Sequence, residues 1–525
     1  MTRGSLSTGK PEVHIANGRT AHRQGRARAP VILLTFFSLL YFADICLRAS
    51  AKYFWFDELI TVFICRLPNW RAVYQATLAG VDYNPPLFHM LTRLAEAPFG
   101  EGLIASRMPS IIGVWVLCVC LFAIVSKRSG PAAGSVAMVL PLLASSRFYA
   151  YEARATGIVL GLAGLAVLAW QRQAESRHRK AWLGLFGISL LAAFWTHCYA
   201  IALLFPFACA ELFRWWRTRR LDRPVWVLMG CAAFAALVFY VPLWRSFQRH
   251  VGGGFFPPTL GSLQAFYSML LAPAMLALVA CLAGVAADYA AAPGGTRAVA
   301  PGEEMVLALG FLMLPAAGLV LAAAIHGPFI GRYWFPAILG VALVAGFASS
   351  GRTKWVAPTL AAILACMLAV DFARLVRHRL EGVGETLVEP NTLLTMNTTP
   401  GKPLEAYAAL LADVPGDEPI VVTDGLEFAF LAYYVAPETR SRLYYLMGDS
   451  GDTVGGLLRN LGPCCQIDYK FAHAPDFARV TPGFYVYGRP GEPLAALLRA
   501  APPKAHTRLR AFVRDRMVVE IAPGE

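Results

Sequence analysis

The stretch Tyr53-Phe54-Trp55-Phe56-Asp57-Glu58-Leu59, followed by Asn84-Pro85-Pro86-Leu87, decides how the rest of the chain is read. Two adjacent carboxylates stand among aromatics, directly after the first long apolar run, Val31 to Leu47. Acids at the first turn of a helix are favoured by its positive end, and that alone would account for them. Flanked by Trp55 and Phe56 and set beside a bilayer-scale apolar run, they also mark a site at a membrane surface.

The bulk composition agrees. The chain has 525 residues, 57% of them hydrophobic and only 15% charged, which excludes an ordinary soluble protein. The net charge of +14 does not point to nucleic acid, because the basic residues are spaced between apolar runs rather than pooled on one domain. That spacing is the pattern of orientation signals in a membrane protein. Most of the 11 cysteines lie inside apolar runs, and no Cys-x-x-Cys pair is present, so neither a zinc site nor a redox pair is expected. Cys464-Cys465 are read as two free thiols, since a vicinal disulfide is strained.

Residues 1–29 carry Arg19, Arg23, Arg26 and Arg28 and are expected to be a disordered cytoplasmic tail. The first span is expected to be uncleaved, and Asp44 within it needs a partner. The loop 48–103 is predicted to hold a short interfacial helix capped by Asn69, with Trp70, Val73, Tyr74 and Leu78 on one face. Apolar segments follow at 104–126, 131–147, 154–171, 182–196, 199–213, 225–243, 263–287, 304–325, 333–348 and 354–372, about eleven helices with the first. The pair at 182–213 could equally be one helix broken at His197. Counting Lys and Arg in alternate connections places the tail in the cytoplasm and the Asp57 loop outside it. Residues 374–525 change character. Helices over Leu404–Val414 and Phe428–Tyr434 alternate with strands at Ile420–Thr423, Arg442–Leu446 and Phe484–Tyr487, a small α/β domain on the outer side.

The same topology gathers the polar residues of the outer connections. They are Asp57-Glu58, Asp82 and Asn84, Arg147, Tyr151-Glu152-Ala153-Arg154, His197-Cys198-Tyr199, Arg245 and Arg249 before Gly252-Gly253-Gly254, His326, and Arg332-Tyr333. A carboxylate in such a set can take the proton of an attacking hydroxyl, and arginines can hold a departing phosphate. Asp57, Glu58 and Asp82 could collect Mg²⁺ or Mn²⁺, but no metal is required where Arg can neutralise a phosphate monoester. Each candidate has a plainer rival role. Asp82 and Asn84 could shape a turn, Arg154 and Arg332 could snorkel, His197 could cap backbone, and Glu152 could pair with a neighbouring Arg.

The ordered set resembles the GT-C membrane glycosyltransferases, in particular the protein O-mannosyltransferase and aminoarabinose-transferase branch. The likeness rests on the Asp-Glu pair after the first span, Pro85-Pro86-Leu87, Tyr151-Glu152-Ala153-Arg154, His197-Cys198-Tyr199 and Arg332-Tyr333, over most of residues 30–373. Ala155-Thr156 stand where the family pattern has Pro-Tyr, so that motif matches in part. The resemblance implies a polytopic helical fold with residues 30–373 as the catalytic domain and 374–525 as the extracytoplasmic domain. It implies a polyprenyl-phosphate-linked sugar donor and a glycan, lipid or protein acceptor at a bacterial inner membrane. Asp57 becomes the base and Glu58 its neighbour. Arg154, Arg332, His197 and Tyr333 would serve the donor phosphate, and Asp82, Asn84, Tyr151 and Glu152 the acceptor or loop. A transporter or flippase of lipid-linked sugars, and a non-catalytic assembly protein, are the competing readings. The first predicts inverted repeats, which the sequence lacks.

Overall fold

The computed structural model describes residues 15–250, 258–291, 300–324, 328–351, 353–381, 410–447 and 453–523, apart from 474–475, 478–479, 492–498, 500–504 and 514–515 in the last stretch. Each of the eleven expected apolar segments falls on helix. In chain order the helices are α1 (Ile15–Ala51), α2 (Phe56–Cys65), α3 (Trp70–Leu78), α4 (Leu87–Phe99), α5 (Met108–Ser129), α6 (Pro131–Leu143) and α7 (Ala155–Gln173). They continue with α8 (Arg179–Thr196), α9 (Leu204–Thr218), α10 (Arg223–His250), α11 (Leu260–Leu271), α12 (Met275–Ala291), α13 (Gly302–Ala324), α14 (Ala337–Ser349) and α15 (Val356–Leu380). Among the described residues eight helical stretches are long and apolar enough to cross a membrane, with α11 and α12 counted as one, and α6 and α14 are shorter apolar helices. The chain is a multi-pass membrane protein.

Two expectations are corrected. Residues 15–29, read as part of a disordered tail, continue α1 as helix. A span already nucleated by its apolar segment extends cheaply through Ala, Arg and Gln. The loop 48–103 holds three helices rather than one. Within it α3 starts as expected, with the Asn69 side chain accepting the Ala72 N–H at 3.0 Å. Val73 and Ala76 face inward, while Trp70 stays exposed. At 182–213 the chain forms two helices, with His197 extended between them.

Close backbone contact sets the bundle around the site. A side chain at Gly113 would strike Gly157 O at 2.4 Å, and one at Gly161 would strike Gly113 O at 2.4 Å. Glycine therefore lets α5 and α7 touch backbone to backbone, the usual device where both helices sit in lipid. The contact lies near the N-termini of both helices, and Ser110 Oγ donates to Arg154 O at 2.7 Å across it. Arg107 and Arg154, each the residue before its helix, are brought to the same end of the bundle. Three 3-10 turns, Ser145–Tyr151, Cys198–Leu203 and Gly331–Trp334, lie beside or contain the other site residues. Asp44 has its partner, Arg48, at 3.0 Å. Arg48 and Arg147 both reach Asp371, so Arg147 braces α1 and α15 rather than meeting the site.

The C-terminal domain is a six-stranded sheet of β1 (Ile420–Val422), β2 (Leu443–Met447), β3 (Lys470–His473), β4 (Phe484–Gly488), β5 (His506–Val513) and β6 (Arg516–Ala522), ordered β3-β2-β1-β4-β6-β5. Strands β1 to β4 are parallel, and β6 and β5 add on antiparallel. The helices of this domain are α16 (Gly425–Tyr434), α17 (Pro437–Arg442) and α18 (Thr453–Cys465). Strands β3, β5 and β6 and helices α17 and α18 were not foreseen, and the helix expected at Leu404–Val414 lies outside the described residues up to 409. Alternation sorts the sheet residues by face. Val421, Val486 and Ile521 pack on one side. On the other, Ile420, Val422, Tyr485 and Tyr487 share one core with Trp55, Phe56, Ile60, Ile64 and Val73 of the first loop. The loop and the α/β domain are thus one packed unit.

Candidate active site

Helix α2 presents its two acids in opposite directions. Glu58 is fully buried. Its carboxylate takes Arg107 Nε at 2.8 Å and Nη2 at 2.9 Å, Lys52 Nζ at 2.7 Å, Ala153 N at 2.7 Å and, more loosely, Trp55 N at 3.4 Å. Burial would raise this carboxyl, but the Arg107 and Lys52 charges and their hydrogen bonds outweigh it and lower it to about 2. Arg107 in turn gives its remaining N–H groups to Ala49 O, Lys52 O and Tyr53 O. All five guanidinium donors are matched, so the end of α1, the turn after it and the start of α2 hang on one side chain.

Asp57 faces the other way and keeps 15% of its side chain exposed. Arg332 Nη1 donates to its Oδ2. Arg154 Nη2 stands 3.8 Å from the same oxygen, and Arg154 Nη1 donates to the Asp57 carbonyl at 3.1 Å. Arg154 Nη1 also lies 3.7 Å from Asp82 Oδ2. Asp82 accepts the Asn84 N–H at 3.1 Å and its side-chain amide at 2.9 Å, and His89 Nε2 is 3.3 Å away. Burial would raise the Asp82 carboxyl, yet His89, Arg154 and the Asn84 N–H hold it well below the usual carboxylate range. Two arginines therefore stand between two carboxylates, drawn from the first loop, the start of α7 and the turn before α14.

Beside them is a recess lined by Arg154, Arg332, His197, Tyr333, Glu152, Trp55 and Tyr149, together with Ala155 and Thr156. His197 Nδ1 accepts the Tyr199 N–H at 3.1 Å, which leaves the ring proton on Nε2. Its ring meets Tyr333 edge to face at 4.4 Å. Glu152 reaches Lys52 Nζ at 3.1 Å. Among these donors, Arg332 Nε and Trp55 Nε1 are buried with no hydrogen-bond partner.

The predicted set is largely assembled. Asp57, Asp82, Arg154 and Arg332 meet directly, and His197, Tyr333 and Glu152 share the recess with the two arginines. Asn84 backs Asp82 from behind. Tyr151 does not reach the recess; it is buried against Phe148, ring centres 5.4 Å apart. Among the described residues no group of three or more His, Cys, Asp or Glu stands in metal-holding geometry, since Glu58 turns away from Asp57 toward Arg107. Among the described residues Arg249 donates to Arg245 O of its own helix at 3.2 Å, while Gly252-Gly253-Gly254 and His326 lie outside them. The sequence reading missed Arg107 and Lys52. The only signal was two cations flanking the aromatic stretch and the next span, where a helix-end anchor is the ordinary reading.

The domain end of the bundle adds a last contact. Phe54 N donates to Tyr434 Oη at 2.7 Å, and the rings of Tyr53 and Tyr434 meet edge to face at 5.1 Å. Helix α16 thus grips the loop three residues before Asp57.

The chain thus combines a helical membrane bundle, a charged site beneath its first long loop and an α/β domain packed on that loop. The structure is similar to the crystal structure of ArnT from Cupriavidus metallidurans in the apo state, with 14% identity and a TM-score of 0.56 over 94% of this chain and 98% of that one. It is similar also to ArnT from the same organism bound to undecaprenyl phosphate, with 14% identity and a TM-score of 0.51 over 93% and 97% of the two chains. The oligosaccharyltransferase of Archaeoglobus fulgidus in complex with zinc and sulfate aligns more loosely, with 12% identity and a TM-score of 0.36 over 86% and 67%. At these identities the likeness is one of fold. No family model and no curated protein matches the chain.

Proposed function

We propose that this protein is a glycosyltransferase that moves a sugar from a polyprenyl-phosphate donor to an acceptor outside the cytoplasm, with inversion at the anomeric carbon. The observation that carries the reading is the partly buried clamp of Asp57 by Arg332 and Arg154 at the edge of a recess lined by both arginines. A carboxylate with access to solvent suits a general base, and a planar donor fork suits a phosphate. The ArnT likeness, including the structure bound to undecaprenyl phosphate, supports a lipid-phosphate donor for the same fold.

In this reading Asp57 takes the proton of the acceptor hydroxyl as its oxygen attacks the anomeric carbon. The bond from that carbon to the phosphate oxygen breaks, and its electron pair stays on the phosphate. Arg332 and Arg154 hold that charge, with His197 Nε2–H as a further donor and Tyr333 edge to face beside it. Glu58 serves the fold of the loop, with Arg107 and Lys52. Asp82 and Asn84 set Arg154, and Glu152 lines the acceptor side. The bias of Lys and Arg toward alternate connections supports a site on the side away from the cytoplasm, and the membrane is read here as a bacterial inner membrane. No divalent ion is required, so chelated protein keeps its transfer activity; recovery of a lost rate by added Mg²⁺ or Mn²⁺ would contradict this.

The test is transfer by purified, reconstituted protein from a panel of polyprenyl-phosphate sugars, read as release of polyprenyl phosphate. Asp57→Asn lowers the rate by about 10²–10⁴-fold if Asp57 is the base. A rate near wild type removes that role. Mass spectrometry of lipid-linked sugars and surface glycans in cells lacking the gene names both substrates, by the donor that accumulates and the glycan that disappears.

A further inference from the structure

We propose that the Asp57 carboxylate holds the place of the lipid phosphate in the resting protein, so that phosphate binding takes Arg332 from Asp57 and frees the base. This rests on the reading above and adds to it an order of events and a further ligand, Trp55.

Three observations converge on it. Arg332 gives Nη1 to Asp57 while its Nε, also buried, has no acceptor. Trp55, only 8% exposed, lines the same recess with its indole N–H equally unmatched. Buried donors without acceptors are disfavoured, and two on one recess suit the oxygens of an anion. A tetrahedral phosphate offers three or four oxygens to such donors, whereas the Asp57 carboxylate reaches only the outer end of Arg332.

Charge gives the same answer. Arg154 and Arg332 balance Asp57 and Asp82, so the resting site is neutral. A sugar-phosphate diester brings one negative charge into a site where Asp57 already occupies the better arginine. Like charges that share one cation repel, and the arginine goes to the anion that satisfies more of its donors. During transfer the acceptor proton passes to Asp57, which loses its charge, while the leaving phosphate goes from one negative charge to two. The total is unchanged, and Arg332, already drawn to the phosphate on binding, faces the charge that gathers there. Asp57 is thus released when a donor is present and is held by Arg332 when none is.

The experiment measures binding of undecaprenyl phosphate to the full-length protein in detergent by isothermal titration calorimetry, with sugar transfer assayed on the same preparations. If Asp57 competes for Arg332, Asp57→Asn binds the lipid phosphate at least about tenfold more tightly than wild type, while Arg332→Gln loses binding. Trp55→Phe keeps the ring but removes the donor, and binding weakens by about tenfold or more, the size of one charge-assisted hydrogen bond. Equal or weaker binding by Asp57→Asn overturns the exchange, and an unchanged Trp55→Phe overturns the indole contact. The two claims separate cleanly. Tighter binding with transfer intact supports the exchange and removes the base, whereas weaker binding with transfer lost removes the exchange and leaves the base standing.

Discussion

Replacing Arg107 with methionine tests the physical basis of the site at its root. The substitution keeps most of the volume but removes five matched N–H donors, two of them on Glu58. Glu58 keeps Lys52 Nζ and the Ala153 N–H, so its charge is left half-compensated rather than bare. Removing one partner of a buried ion pair costs about 3–5 kcal/mol. The two surviving contacts place this case at the low end, about 3 kcal/mol. Where unfolding is irreversible, as in detergent, that energy shortens the half-life by up to about 100-fold. The assay is loss of monodisperse protein with time at fixed temperature, for wild type, Arg107→Met, Glu58→Gln and the double variant. In the double variant no orphaned charge remains, so it outlasts Arg107→Met. Sugar transfer adds a second readout. Turning α2 displaces Asp57 while Arg154 and Arg332 stay in place, so the rate constant falls more than donor affinity does. A single variant as durable as wild type, or a double variant no better than the single, refutes the claim that the Arg107–Glu58 pair holds the loop.

Three further outcomes follow from the same geometry. Because the Glu58 carboxyl is lowered to about 2 from an ordinary 4.5, its stabilisation is complete above about pH 4.5 and is lost as pH falls toward 2. Acid inactivation should therefore steepen in that window for wild type and flatten there for Glu58→Gln, and identical profiles would count against it. Tyr434→Phe deprives the Phe54 N–H of its acceptor and weakens docking of α16 on the loop by about 1 kcal/mol, read as faster proteolysis at the loop; an unaltered digest contradicts it. Gly157→Leu forces α7 away from α5, since even a Cβ there meets Ser110 Cβ at 2.8 Å and Ser110 Cα at 2.9 Å, and costs about 1–3 kcal/mol or more in half-life terms, whereas a variant with wild-type durability would show that the helices tolerate separation.

Much of this architecture is legible from local pattern. Apolar runs longer than a bilayer needs announce helices, and Asn69 announces α3 by its cap. Short apolar runs flanked by Pro and Gly announce β1, β2 and β4. Strand β5 escapes because it is an edge strand exposed from His506 to Arg510, so its alternation marks no buried face, and a register shift between Leu509 and Ala511 breaks the period. The α2 acids illustrate a different limit. Asp57 and Glu58 are chemically alike and adjacent, and nothing local tells which one turns toward the recess. Helix phase decides it, and phase is set by Arg107, 49 residues away in the chain.

From the sequence alone came the number of apolar segments, their alternation, the α/β domain and the polar residues that one end of the bundle could share. Only the tertiary structure decided that Arg332, 275 residues from Asp57, closes on it, that Glu58 belongs to the scaffold, and that the C-terminal domain shares a core with the loop. The reason is physical. Hydropathy and capping act over one or two helical turns and can be read from neighbours, whereas a charge in a low-dielectric setting is placed by whatever partner the packing brings near. Here that packing depends on glycine contacts between α5 and α7 that no single segment reveals.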